Sequence, residues 1–179
     1  MASLKKIRKR IDSVRKTQKT TSAMKMVSSA KLKRAEENIR SATPYSEMLK
    51  QVITSLSSRF SDGENPLFHE TVGEKTAVIL ITSDRGLCGG FNTNLCKAVL
   101  EEFRDLQNGQ LVLSFIGRKG YNFFKHRSVE TQGNFQDIHP EDQANVVREV
   151  VNHSIKLFEH GELVKVCLAF NHFRNVISQ

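Results

Sequence analysis

The sequence predicts an α/β protein: a long N-terminal helix that forms half of a coiled coil, followed by a small domain with a mostly parallel sheet and flanking helices. Three observations carry this reading. Apolar residues from Leu4 onward recur at alternating steps of three and four, the spacing of a coiled-coil seam. From Ala77 the pattern changes to short continuous apolar runs, AVILIT, LVLSFIG and VKVCLAF, bounded by polar residues. Between those runs lie segments of helical period, and strands that alternate with helices imply βαβ crossovers.

The first helix is expected from Ser3, a plausible N-cap, across the run IRKRIDSVRKTQKTTSAMKMVSSAKLKRA, Ile7 to Ala35, and on to about residue 60. Its stripe begins Leu4, Ile7, Ile11, Val14. It turns small and polar through Thr17, Thr20 and Thr21. It resumes with slipped phase at Met24, Val27, Ala30, Ala35, Ile39, Ala42, Leu49, Ile53 and Leu56. At 1.5 Å per residue such a helix spans roughly 80 Å, and a stripe this narrow needs a partner helix. Pro44 falls inside the pattern, so a kink is expected near Thr43. Residues 61–76, rich in turn formers and polar groups, read as a linker, which leaves 77–179 for the globular domain.

In that domain AVILIT predicts a strand covered on both faces. The turn SDRGLCGG follows, then a helix over about 93–107 capped by Asn92 or Thr93 and stopped at Gly109. A second buried strand is expected over 111–117, a short helix over 118–125 and a third strand over 128–131. A helix then runs from Pro140 to about His160, ended by Gly161, and 164–170 forms the last strand. The architecture expected is Rossmann-like. A three-layer domain that stopped after its last strand would leave one flank of the sheet to be covered by something else, so the sequence reads as a piece of a longer chain.

Charge is divided unevenly. Residues 1–40 hold thirteen Lys/Arg and three Asp/Glu, while the formal charge of the whole chain is +8. The positive field therefore belongs to the helix and suits an acidic partner. Three readings of that helix stand open: a solvated charged face, a nucleic-acid-binding element, or a shaft inside a protein sheath. The segment lacks aromatic residues and has few side chains suited to base edges, and its seam of Ala, Thr, Ser and Met suits close passage along protein. No apolar run reaches the length of a membrane span.

The motifs of enzymes are thin. SDRGLCGGFNTN lies between a strand and a helix, where α/β folds bind phosphates, but its glycines follow G-x-x-G-G. That is neither a dinucleotide fingerprint nor a P-loop, and no acidic residue ends the second strand to hold a ribose. A tight turn needing glycine at positive φ is the plainer reading. Asp84, at a strand end, is expected to cap the turn or pair with Arg85. His69, His126, His139, His153, His160 and His172 are scattered, and Cys88, Cys96 and Cys167 fit no zinc spacing, so they read as reduced thiols in apolar settings. No catalytic residue, cofactor or metal site is expected.

Three stretches resemble one family, in the right order and across the whole chain: the N-terminal run Ile7 to Ala35, SDRGLCGGFNTNL, and the closing FNHFRNVISQ. They are similar to the gamma subunit of F-type ATP synthases. That family continues into a second long helix wound antiparallel on the first, which this sequence lacks, and Thr21 stands where isoleucine is more usual. The resemblance implies a central-stalk rotor that turns within a ring of alpha and beta subunits, contacts the epsilon subunit and the c-ring, and performs no chemistry itself. It implies no nucleic-acid partner and no direct insertion into the membrane. It implies a peripheral place on the cytoplasmic face of the bacterial plasma membrane. By residue, it places Lys5, Arg8, Met24, Lys25 and Met26 on the shaft facing the ring. Arg85, Gly86, Leu87, Cys88 and Gly89 form a turn near the lower rim of beta.

Overall fold

A computed structural model describes residues 2–57, 59, 67, 73–106 and 109–173. The chain divides into two compact units, Met1–Phe60 and Ser61–Gln179. Most of the stretch expected to be a linker lies outside the described residues, as does the end of the closing motif.

The first unit is one helix, α1 (Ala2–Ser57), of 56 residues or about 84 Å. Ser3 sits inside its first turn rather than capping it, because the helix already includes Ala2. Pro44 also lies inside α1, which continues to Ser57. The apolar stripe is open: Leu4, Ile7, Ile11, Val14, Met24, Val27, Ile39, Leu49, Ile53 and Leu56 are all exposed. The Thr17, Thr20 and Thr21 hydroxyls donate to the carbonyls of Ser13, Lys16 and Thr17 at 2.9–3.0 Å. Each threonine therefore satisfies its own polar group against the helix backbone.

The second unit runs β1 (Lys75–Ile81), α2 (Phe91–Glu102), β2 (Leu111–Ile116), α3 (Arg118–Phe124), β3 (Glu130–Phe135), α4 (Gln143–Glu159) and β4 (Leu163–Ala169). The strands lie in the order β3-β2-β1-β4 and all three pairings are parallel. Alternation along the strands sends Val78, Leu80, Leu113 and Phe115 to one face. There they pack with Cys96 and Val99 of α2 and Phe124 of α3 into the core. Phe115 meets Tyr121 edge-on at 5.8 Å and Phe124 at the same separation. On the opposite face, Val150 and Ser154 of α4 are buried, and an apolar cleft of about 250 Å³ runs between Ile79, Val166 and Val151, Ile155 and Phe158. The chain steps outward from β1 through β2 to β3, then doubles back past β1 to β4 as its connecting helix changes face. All three crossovers thus share one hand, as the fixed handedness of βαβ units requires.

Several boundaries differ from the sequence-based expectation. β1 starts at Lys75 rather than Ala77. α2 ends at Glu102, where the chain tightens into a turn with the Leu106 N–H donating to the Phe103 carbonyl at 3.2 Å, so Gly109 plays no part in stopping it. β3 runs later than 128–131, because an edge strand with exposed polar positions lacks the apolar signature. α4 starts at Gln143, since Pro140 opens a turn in which the Asp142 N–H donates to the His139 carbonyl. The apolar stripe of α4 is only partly covered: Val147 and Val151 are exposed, as are Val164, Val166 and Leu168 on β4.

Candidate functional site

Two places carry the residues that the sequence singles out: the surface of α1 and the loop 83–90 after β1. On α1, Lys5 and Arg8 stand three apart and share a face, whereas Met24, Lys25 and Met26 are consecutive and point around the helix. The helix therefore does not gather these five into one patch. Met24 and Met26 are 57% and 66% exposed, an unusual solvation for such side chains.

The loop leaves β1 beside the point where strand order reverses, between the carboxyl ends of β1 and β4. Doubly wound folds place ligands there. In this chain the polar groups on the other side of β1, along the carboxyl ends of β1, β2 and β3, bond to one another. Thr82, buried, accepts the Gly120 N–H at 2.8 Å and donates to the Gly117 carbonyl at 3.2 Å. Gly117 has φ +101°, and a Cβ there would run into the Thr82 carbonyl, so only glycine permits this approach. Asp84 accepts the Arg118 N–H at 2.9 Å and so caps the start of α3 instead of pairing with Arg85. The Arg118 guanidinium bonds Gln136 and Asp137. The Asn171 amide donates to the Phe91 carbonyl at 3.1 Å, tying the segment after β4 to the first turn of α2.

Asn92 does not cap α2. Gly90 is the N-cap and makes no side-chain cap bond. The Asn92 side chain, 8% exposed, turns back across the loop. Its oxygen accepts the Ser83 N–H at 2.9 Å, while its nitrogen donates to the Ser83 hydroxyl at 2.8 Å and approaches Cys88 Sγ at 3.2 Å. The Ser83 hydroxyl reaches the Arg85 carbonyl at 2.6 Å. The loop is braced at its base, and Arg85, Gly86, Leu87, Cys88 and Gly89 are brought together on its exposed part. Positive φ falls on Gly89 (+58°), as a glycine turn would have it, but also on Leu87 (+63°) rather than Gly86. Cys88 is exposed, not in an apolar setting, because it sits on this projecting turn. Cys96 is the buried thiol, its pKa pushed up to about 11 by desolvation. Reasoning from sequence missed the bracing role of Asn92, since an Asn at a helix start reads as a cap.

Among the described residues no group of three or more His, Cys, Asp or Glu could hold a metal ion, and no buried side-chain polar atom lacks a partner. Among the described residues no helix is long and apolar enough to cross a membrane. The α4 cleft is lined almost wholly by aliphatic and aromatic groups and offers no acid, base or nucleophile beyond the Ser154 hydroxyl, itself bonded to the Val150 carbonyl.

A long helix with an open seam, followed by a doubly wound domain whose polar groups at the ends of β1, β2 and β3 bond to one another, defines a class of helix-bearing α/β protein without a visible catalytic centre among the described residues. The chain belongs to the ATP synthase family, whose model matches residues 3–179. It is similar to the ATP synthase gamma chain of Trichlorobacter lovleyi (41% identical over 181 residues, covering 100% of this chain and 62% of that one). It is likewise similar to the gamma chains of Desulfitobacterium hafniense (39%, 100% and 63%) and Geotalea uraniireducens (42%, 100% and 63%). The chain thus spans less than two thirds of the length of these curated relatives.

Proposed function

We propose that this chain is the central-stalk rotor subunit of an F-type ATP synthase, or the part of it that the sequence covers, and that it is non-catalytic. Residues 1–60 are the shaft, the linker expected over 61–76 gives way to the sheet at Lys75, and the domain from there to 179 is the foot. The shaft turns within alpha and beta subunits, and the foot meets the epsilon subunit and the c-ring at the cytoplasmic face of the plasma membrane. Lys5, Arg8, Met24, Lys25 and Met26 face the ring, and Arg85 to Gly89 meet the lower rim of beta. Proton-driven rotation of the c-ring is transmitted through the shaft to the beta subunits, where ATP is made.

The observation that supports this most is the surface of α1. Its seam is exposed, and its threonine hydroxyls bond its own backbone, so the flank at Thr17, Thr20 and Thr21 offers few groups that would stick to a sheath. A rotor needs that lack of a deep minimum at any angle. Its excess of lysine and arginine supplies force on acidic loops across several ångströms.

The test is co-purification with alpha and beta subunits of an F-type ATP synthase. Association as a single complex is the expected outcome. No association, with steeply salt-dependent affinity for DNA or RNA instead, would favour a nucleic-acid-binding helix. Binding of ATP or a dinucleotide by the isolated chain would favour an α/β enzyme.

A further inference from the structure

We propose that Asn92 is a positioning residue. Its amide clasps the loop so that the Leu87 side chain is held outward as an apolar knob, for a partner surface with an apolar socket and an acidic rim. The inference rests on the reading of this loop as a subunit contact.

Leu87 is 101% exposed at φ +63°. A branched side chain in the left-handed region is strained, and full exposure returns nothing for that strain within the chain. Gly86, which would take positive φ at no cost, directly precedes it, while Gly89 two residues on already does at +58°. The strained conformation persists because the loop is over-determined at its base. Asn92 joins Ser83 at one end of the loop to Cys88 at the other, and Asp84 pins the same stretch to α3. Around the knob the charge is positive. Arg85 is exposed, and a Cβ on Gly86 would lie 3.5 Å from the Lys119 ammonium. A leucine among cations calls for an apolar pocket edged with carboxylates.

The clasp is tested on the chain alone by amide hydrogen exchange. Asn92→Ala should speed exchange at the Ser83 N–H at least ten-fold, with Val78 and Leu80 unchanged. Asn92→Asp, which keeps the accepting oxygen, should leave Ser83 close to wild type. Equal Ser83 rates in wild type and Asn92→Ala would overturn the clasp. Should Asn92→Ala not fold, Asn92→Ser, too short to span the loop, takes its place. The knob is tested by affinity for the assembled alpha and beta subunits. Leu87→Ser and Asn92→Ala should each weaken binding about ten-fold, and the double variant no more than Leu87→Ser alone. Loss with Leu87→Ser but not with Asn92→Ala would overturn the positioning role, and loss with neither would overturn the knob. If the wild-type chain itself fails to associate, the proposed function falls, while the exchange rates still decide the clasp.

Discussion

In the sheet domain Val78, Leu80, Leu113 and Leu163 are completely buried, whereas along α1 Leu4, Val14 and Met26 are each more than 60% exposed. The two regions draw on similar apolar residues and differ in what lies opposite them. β1 and β2 are flanked by strands on both edges and have helices on both faces, so their side chains find partners within a hundred residues of chain. α1 presents a single stripe, and a lone helix has no second surface to close over it. Burial in the domain specifies a fold; along α1 the apolar stripe stays open. The domain therefore holds its stability in its own contacts, and the seam of α1 holds little until it meets another surface.

The sharpest way to break that contrast is a pair of truncations. Phe115→Ala removes the ring at the centre of the domain, 1% exposed between Tyr121 and Phe124. It should cost about 3–5 kcal/mol, enough to unfold much of a domain this small. Ile11→Ala, on the seam at 45% exposure, should change the stability of the free chain by no more than about 0.5 kcal/mol. Denaturant titration followed by circular dichroism checks both. A core-sized loss at Ile11 would show that the seam is already covered.

β1 and β2 were legible because burial on both faces leaves continuous apolar runs, as at Val78 to Leu80, and β4 was legible because its run stays apolar even where it is exposed. The edge strand β3, with Gln132, Gly133 and Asn134 along it, left no such trace. Helix ends were read poorly for a related reason. Asn92 is a capping residue by type, but the capping bond competes with a return path to Ser83 that exists only once β1 and α2 are adjacent. Nothing local marks Leu87 as left-handed with glycines beside it, since that conformation is imposed by the loop's closure. Likewise Asp84 bonds a backbone amide 34 residues away, a partner that only the sheet brings near.

A second test sharpens the contrast from the helix side. Pro44 removes one backbone hydrogen bond inside α1, at a cost near 3 kcal/mol for an interior proline. Pro44→Ala should therefore stabilise α1 by up to about 3 kcal/mol and raise the midpoint of its helical melt. The domain's transition should stay where it was. A shift of both transitions together would mean that the two units unfold as one.

The smallest effect separates the regions by pH. α1 contains no cysteine, while the domain buries Cys96, whose folded pKa is raised from 9.0 to about 11 by desolvation. A raised folded pKa means the native state holds its proton more tightly than the unfolded chain. Stability from this group is complete below pH 9 and is lost as pH climbs from 9 towards 11. Lys75, its pKa raised by its hydrogen bond and charge contact with Glu130 at 2.9 Å, acts in the same direction but only above its ordinary 10.5. The domain's unfolding midpoint should thus begin to fall near pH 9, before the lysine contributes. Cys96→Val should flatten that early decline, and Glu130→Gln should leave it in place and alter only the top of the range. The melt of α1, which holds no cysteine, should not show that early decline. A thiol reagent at pH 8 should label the exposed Cys88 in the folded chain and spare Cys96. Rapid labelling of Cys96 would show the core opening far more often than its burial implies, and the contrast between a closed domain and an open helix would then be one of degree.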